Sequence, residues 1–113
     1  MEIWKDVKGY EGFYQVSSLG RVKSLVRIGR KKEKILIGGK TPNGYLIASL
    51  CKNGKTTYKA KHQLVAIAFL NHVPNKTKLS VNHINFIRTD NRLENLEVVT
   101  IRENANKKHL KST

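Results

Sequence analysis

The sequence predicts an α+β fold in which a small antiparallel β-sheet region is followed by a strand–loop–strand–helix (ββα) unit. Glycines punctuate the first half of the 113-residue chain and separate short strand-like runs. The hydrophobic period then becomes helical near residue 62, and strand-like runs return from residue 79. A chain of this length has room for one core, so we expect one compact unit, β-rich over residues 1–60 and ββα over residues 61–113.

The first 60 residues are predicted to form short strands joined by turns. Asn53-Gly54 lies between two strand-like runs, and a two-residue type I′ turn needs positive φ at both positions, which this pair tolerates best. A β-hairpin is therefore expected there, and a second turn at 18–20. The runs with strand-like composition are 13–16, 21–25, 35–37, 45–50 and 56–60.

A short buried helix is predicted over residues 62–70. Leu64 with Ala68 and Val65 with Phe69 repeat at i, i+4 spacing, and the pattern ends before Pro74. We interpret the histidine that begins this segment, His62, as a helix-start or core histidine with a satisfied hydrogen bond rather than a catalytic group.

The last third predicts a strand over residues 79–84, a polar loop over 85–94 and a second strand over 96–99. Thr100 and Glu103 then fit a capping box, in which a hydroxyl and a carboxylate satisfy backbone donors at a helix N-terminus. A helix is therefore expected from Ile101 to about Leu110.

Charge predicts a polyanionic partner. The chain carries 22 Lys and Arg against 8 Asp and Glu, a formal net charge of +14. Residues 21–61 contain twelve basic side chains and a single acidic one, so we expect this segment to bind double-stranded DNA by neutralising phosphates. The predicted phosphate contacts are Arg21, Lys23, Arg27, Arg30, Lys31, Lys32, Lys40, Lys55, Lys59 and Lys61.

Other classes of protein are disfavoured by composition. No apolar run approaches the roughly 20 residues that cross a bilayer, and the N-terminus lacks the order of a signal peptide, so a cytoplasmic protein without a membrane partner is expected. The single cysteine, Cys51, predicts neither an internal disulfide nor a structural zinc site.

Polar residues lie where a ββα unit could bind one divalent metal ion. Asn82 and His83 end the first predicted strand, and Asn104 lies in the first turn of the predicted helix. Amide oxygens are hard donors suited to Mg²⁺. A neutral imidazole can activate water near physiological pH, while a metal ion stabilises the phosphorane and the leaving oxygen. His83 is the predicted general base of phosphodiester hydrolysis.

Two linked segments resemble a known family. The N-terminal segment is similar to the nuclease-associated modular motif that precedes HNH domains in phage homing-type endonucleases, and the second half is similar to the HNH domain itself. The residues that carry the first likeness are 2–7 and 9–24, and those that carry the second are 62–66, 81–84, 91–97 and 103–104.

The resemblance implies a ββα-metal (His-Me finger) HNH fold and DNA nicking or double-strand cleavage with one Mg²⁺ or Mn²⁺. By position, His83 corresponds to the family's general base, Asn82 and Asn104 to its metal ligands, and Asn95 to an Asn that braces the loop between the strands. The N-terminal strands of the family commonly lie in the DNA major groove.

Two departures from the family keep other functions open. Asn82 stands where Asp is common, and residues 84–86 read Ile-Asn-Phe where an Asp-Gly pair is common. A catalytically impaired DNA-binding module of the same fold is the main alternative, and charge alone would also suit an RNA-binding or ribosome-associated protein.

Longer members of the family carry a C-terminal helix-turn-helix, whereas this chain stops at Thr113. Sequence specificity is therefore expected to be lower unless a homodimer restores the length of DNA that is contacted. Monomer and homodimer both stay open.

Overall fold

A computed structural model describes residues 1–27, 31–73 and 79–100. Within these ranges three small antiparallel sheets surround one helix. The elements are β1 Trp4–Asp6, β2 Tyr14–Ser17, β3 Val22–Ser24, β4 Lys34–Leu36, β5 Gly39–Lys40, β6 Leu46–Lys52, β7 Lys55–Ala60, α1 Lys61–Phe69, β8 Leu79–His83, a 3₁₀ helix Leu93–Asn95, and β9 Leu96–Thr100.

The sheets follow chain order, since each strand pairs with its neighbour in the sequence. The first sheet has the order β1-β2-β3-β4, the second β5-β6-β7, and the third is the β8-β9 pair. Asn53 and Gly54 connect β6 to β7 with φ of 53° and 74°, which confirms the predicted type I′ hairpin. The turn at 18–20 is also present, with the Gly20 amide donating to the Ser17 carbonyl at 2.9 Å.

One core is shared by all three sheets and the helix. Leu64, Val65 and Ala66 of α1 are buried, whereas Ala68 and Phe69, the predicted i+4 partners of Leu64 and Val65, are half-buried. They pack with fully buried side chains of the first two sheets, such as Val16 and Leu50. The third sheet contributes Val81 and Leu96 to the same cluster. The helix therefore packs between the ββα strands and the N-terminal sheets. The predicted α+β class is confirmed.

The third sheet has nearly the predicted bounds. β8 ends at His83, one residue earlier than predicted, because Ile84 begins a turn in which the Phe86 amide donates to the His83 carbonyl at 2.9 Å. Thr100 is the last residue of β9. The rest of the predicted capping box and the helix from Ile101 to about Leu110 lie outside the described residues.

Membrane crossing was not expected from the sequence. Over residues 1–27, 31–73 and 79–100, no helix has both the length and the apolar character that a membrane span requires.

Candidate active site at the end of β8

His83 is held at the end of β8 by one short hydrogen bond. Its side chain is buried, and its Nε2 lies 2.7 Å from Oδ1 of Asn91. An amide oxygen only accepts hydrogen bonds, so Nε2 carries the ring proton and Nδ1 keeps the lone pair. The geometry therefore fixes the tautomer in which Nδ1 can accept a proton.

Asn91 is in turn held against the N-terminal region. It is 3% exposed, and a Cβ at Gly20 would come within 2.7 Å of its Cβ. Gly20 also has φ of +87°, so a larger residue there would be both strained and in collision. Two residues further on, the Leu93 amide donates to the Ser18 carbonyl at 2.7 Å. The turn at 18–20 thus supports the partner of His83.

Asn91 lies in the family-like run 91–97, but no role was predicted for it from the sequence. Its hydrogen bond to His83 spans eight positions and depends on the path of the intervening loop. The role of Asn91 is indicated by its burial beside the candidate base, because a buried polar side chain needs a hydrogen-bond partner. Burial within a loop cannot be inferred from hydrophobic periodicity, so the sequence did not reveal this role.

Two further rings contact the imidazole of His83. The ring centroid of His62 lies 4.9 Å from it and that of Tyr45 lies 5.9 Å from it, while Tyr45 and His62 are 5.0 Å apart. Burial, with a smaller contribution from the nearby His83, lowers the pKa of His62 to about 4. His62 is therefore neutral at physiological pH.

His62 lies in the first turn of α1 and is buried, as the sequence predicted for a helix-start or core histidine. Its Nδ1, however, has no hydrogen-bond partner among the described residues, so the expected satisfied hydrogen bond is not seen at that atom. Its packing on His83 was not predicted, because the two residues are 21 positions apart and meet only through the tertiary fold.

Asn82 is oriented by its neighbour across the β8–β9 pair. Its Nδ2 donates to Oε1 of Glu97 at 3.1 Å, and the two residues are register partners. This hydrogen bond uses the amide nitrogen and leaves Oδ1 as an oxygen donor. The second predicted ligand, Asn104, lies outside the described residues.

The donors present fit a hard divalent cation. Asn82 offers a neutral oxygen beside the carboxylate of Glu97. The described residues contain no group of three His, Cys, Asp or Glu side chains that could bind a metal. Mg²⁺ commonly accepts one or two protein ligands and keeps several waters, so an amide-based site of low ligand count suits it.

Asn95 lies at the centre of the loop between β8 and β9. Its Oδ1 accepts from the Asn85 backbone amide at 3.0 Å, and its Nδ2 donates to Asn85 Oδ1 at 2.9 Å and to the Asp90 carbonyl at 2.8 Å. The Ile84 amide donates to the Asn95 carbonyl at 2.8 Å. These contacts close the loop that carries Asn91.

Several of the predicted DNA-binding side chains have partners within the protein. Arg21 pairs with Glu2, which lowers the pKa of that carboxyl to about 2. Nζ of Lys23 lies 4.3 Å from the centroid of the Trp4 ring and 3.6 Å from a carboxylate oxygen of Glu33. These two cations are therefore partly neutralised.

Arg27 and Lys61 are built into the fold. Nη1 of Arg27 donates to Ser24 Oγ at 2.9 Å and to the Phe13 carbonyl at 3.0 Å. Lys61 is 6% exposed and donates to the carbonyl of Ile37 at 3.0 Å, and burial lowers its pKa. Arg30 lies outside the described residues. The members of the predicted set that are exposed and for which the structure gives no carboxylate or carbonyl partner are Lys31, Lys32, Lys40, Lys55 and Lys59.

The candidate site thus has three features: the paired strands β8 and β9, the braced loop between them and the buried His83. Residues 59–106 match the HNH endonuclease family and residues 2–51 match the NUMOD4 motif. The chain therefore combines a NUMOD4 motif with an HNH endonuclease domain, and the resemblance noted from the sequence is confirmed.

Two curated relatives are similar over nearly the whole chain. DNA endonuclease I-HmuI of Bacillus phage SP01 is 38% identical over 102 residues, which cover 90% of this chain and 55% of I-HmuI. An uncharacterized HNH endonuclease of Acanthamoeba polyphaga mimivirus is 38% identical over 106 residues, which cover 92% of this chain and 25% of that protein.

A solved structure agrees with these relatives. The structure describing DNA binding and cleavage by the HNH homing endonuclease I-HmuI superposes with a TM-score of 0.82 at 35% identity, over 98% of this chain and 60% of that one. The chain thus spans about half the length of I-HmuI and a quarter of the viral relative.

Proposed function

We propose that this protein is a metal-dependent endonuclease that hydrolyses phosphodiester bonds of double-stranded DNA, by nicking or by double-strand cleavage. The observation that carries the proposal is the 2.7 Å hydrogen bond between His83 and Asn91 at the end of β8. It orients the imidazole of His83 in a chain of net charge +14. The similarity to I-HmuI, whose solved structure concerns DNA binding and cleavage, supports the same activity.

His83 would act as the general base. Its Nδ1 accepts a proton from the attacking water, and the positive charge that develops on the ring is stabilised through Nε2 by the Asn91 carbonyl oxygen. Asn91 is thus a positioning residue. The rings of His62 and Tyr45 restrict the tilt of the imidazole.

Asn82 and Asn104 would hold one Mg²⁺ or Mn²⁺, with Glu97 orienting the Asn82 amide. When bound, such an ion supplies stabilisation of negative charge on the phosphorane and on the 3′-oxygen leaving group. Asn95 keeps the loop closed, so that Asn91 stays within reach of His83.

We assign DNA binding chiefly to residues 1–60 and the nuclease centre to residues 61–113. Phosphate contacts come from the exposed lysines of the predicted set and from Arg30, while the internal partners of Arg27 and Lys61 leave these two with structural roles. The protein would act in the cytoplasm of a bacterial host or phage-infected cell, as a monomer or homodimer.

The test is cleavage of supercoiled plasmid in Mg²⁺ or Mn²⁺ by the full chain and by His83→Ala. The parent is expected to convert plasmid to the nicked or linear form, whereas His83→Ala binds DNA equally and cuts at least about a hundredfold more slowly, the scale of a lost general base. His72→Ala is the matched control, because His72 is also buried and lies outside the ring cluster. Equal rates for His83→Ala and the parent would refute the mechanism.

One observation favours a second candidate, a catalytically impaired DNA-binding module of the same fold. Asn82 is neutral where a carboxylate would bind a cation more tightly, and its amide is already engaged by Glu97. In that case the protein shifts DNA in Mn²⁺ without nicking it. Asn82→Asp would then restore cleavage, which distinguishes a weakened metal site from a missing base.

A further inference from the structure

The loop that follows His83 presents three exposed apolar side chains beside the candidate base. Ile84, Phe86 and Ile87, here called the apolar tip, are 49%, 41% and 53% exposed. The tip is close to His83 in space as well as in sequence, because the Phe86 amide donates to the His83 carbonyl at 2.9 Å. Clustered exposed apolar side chains on a small protein commonly mark a contact surface.

The tip is held rigidly by polar contacts beneath it. Oδ1 of Asn85 accepts from the Ile87 amide at 2.9 Å and from Asn95 Nδ2 at 2.9 Å. Nδ2 of Asn85 donates to Asp90 Oδ2 at 2.8 Å. The backbone of the tip is therefore fixed before any ligand arrives, as preorganised contact surfaces are.

Phe86 has an unfavourable backbone conformation. Its φ is +64°, in the left-handed region that bulky residues seldom adopt and that glycine adopts freely. Strained residues of this kind concentrate at sites where their side chain or backbone acts on a ligand. The ring at this position is 41% exposed and is not part of the buried core cluster.

A cation lies next to the tip. Nη1 of Arg88 donates to the Asn43 carbonyl at 2.5 Å, and its guanidinium lies 5.0 Å from the centroid of the Tyr45 ring. Within residues 79–100, the ion pairs with Asp90 and Glu94 are made by Arg92, and the described residues give Arg88 no carboxylate partner. Apolar side chains beside an uncompensated cation suit the sugar and base edges of a nucleic acid beside its phosphates.

We propose that the apolar tip is a DNA-contact surface that packs against the sugar and base edges of duplex DNA next to the phosphodiester bond presented to His83, with Arg88 on a neighbouring phosphate. This inference rests on the proposed function, since a duplex brought to His83 must also meet the residues that begin immediately after it. Apolar wedges that press on base steps from the minor groove are a known mode of DNA binding.

The test measures binding separately from cleavage. Affinity of the full chain for a short fluorescein-labelled duplex of mixed sequence is measured by anisotropy in EDTA, across roughly 50 to 200 mM salt. Phe86→Gly should bind about tenfold more weakly, the scale of losing the contact of one partly exposed Phe ring. The salt slope should not change, because an apolar contact releases no counterions. Phe86→Tyr, which keeps the ring and the strain, should bind within about twofold of the parent.

Stability distinguishes a contact from a structural role. Since glycine relieves the positive φ, Phe86→Gly should unfold at the same temperature as the parent or higher. Parent-like affinity of Phe86→Gly would overturn the inference, and so would an affinity loss accompanied by a lower unfolding temperature. Conversion of a dimeric parent to a monomer by Phe86→Gly, seen by light scattering, would assign the tip to a second copy instead.

The two proposals fail differently. If the protein binds DNA through the tip in EDTA but never nicks DNA in Mn²⁺, the proposed endonuclease activity is refuted and the proposed contact surface stands. If the protein nicks DNA and its Phe86→Gly variant binds and cuts like the parent, only the proposed contact surface is refuted.

Discussion

Replacing Asn91 by Ala isolates the hydrogen bond that positions the candidate base. Oδ1 of Asn91 is the partner of His83 Nε2 at 2.7 Å, and both side chains are buried. In the transition state the ring becomes an imidazolium, and a hydrogen bond to a charged group contributes about 1.5 to 3 kcal/mol. The expected loss is therefore roughly 10- to 150-fold in the rate of the chemical step.

The assay is single-turnover nicking of supercoiled plasmid with saturating enzyme, together with DNA affinity measured in EDTA. Because Asn91 is 3% exposed, we expect Asn91→Ala to bind DNA as the parent does and to lose rate alone. Asn91→Asp, which keeps an oxygen acceptor opposite Nε2, should retain most of the rate. In the His83→Ala background, Asn91→Ala should cause little further loss, since the two residues act as one unit.

Stability must be measured in parallel. Removing Asn91 strands the N–H of His83 Nε2, at a cost of about 1 to 3 kcal/mol in the free energy of unfolding. A rate loss for Asn91→Ala that is equally large and fully additive with His83→Ala would refute the reasoning, because Asn91 would then act independently of the imidazole. An unchanged rate would refute it directly.

Three other predictions follow from the structure. Gly20→Ala should lower the unfolding temperature and the nicking rate together, because its Cβ would come within 2.7 Å of Asn91, as thermal unfolding and plasmid nicking would show. Lys40→Ala should reduce the magnitude of the salt slope of DNA binding by about 1, whereas Arg27→Ala should lower stability through its lost internal hydrogen bonds; anisotropy and thermal melts separate the two. The pKa of His62 is depressed from 6.5 to about 4, so the parent loses stability as pH falls through that window; His62→Phe should show a flatter dependence in melts between those pH values.

Local sequence signals predicted most of the fold for identifiable reasons. The Asn53-Gly54 turn demands positive φ at both residues, and this requirement is local to two positions. The i, i+4 spacing of apolar residues placed helix α1 to within one residue at each end. The predicted end of β8 was one residue too late, because the strand stops at His83, where a turn is closed by the Phe86 amide donating to the His83 carbonyl. The unusual φ of Phe86 leaves no trace in composition, since Phe normally signals a strand.

Some residues of the predicted phosphate-binding set have hydrogen-bond partners inside the protein. Charge counts treat every Lys and Arg alike, whereas tertiary contacts give Arg27 and Lys61 carbonyl partners inside the protein. Both side chains place their charged ends on backbone carbonyl oxygens. Net charge therefore predicts the kind of partner, and burial decides which cations are available to it.

The candidate site depends on parts of the chain that are far apart in sequence. His83 is positioned by Asn91, Asn91 is accommodated by the missing side chain of Gly20, and the imidazole is covered by His62 and Tyr45. The contacts with Gly20, His62 and Tyr45 join the ββα strands to parts of the chain that precede them. The N-terminal region therefore has two roles, since it carries the exposed lysines and also forms one wall of the site. A ββα unit expressed without residues 1–60 would lose both the support of Asn91 and the core partners of α1, so we expect it neither to fold as in the full chain nor to cut DNA.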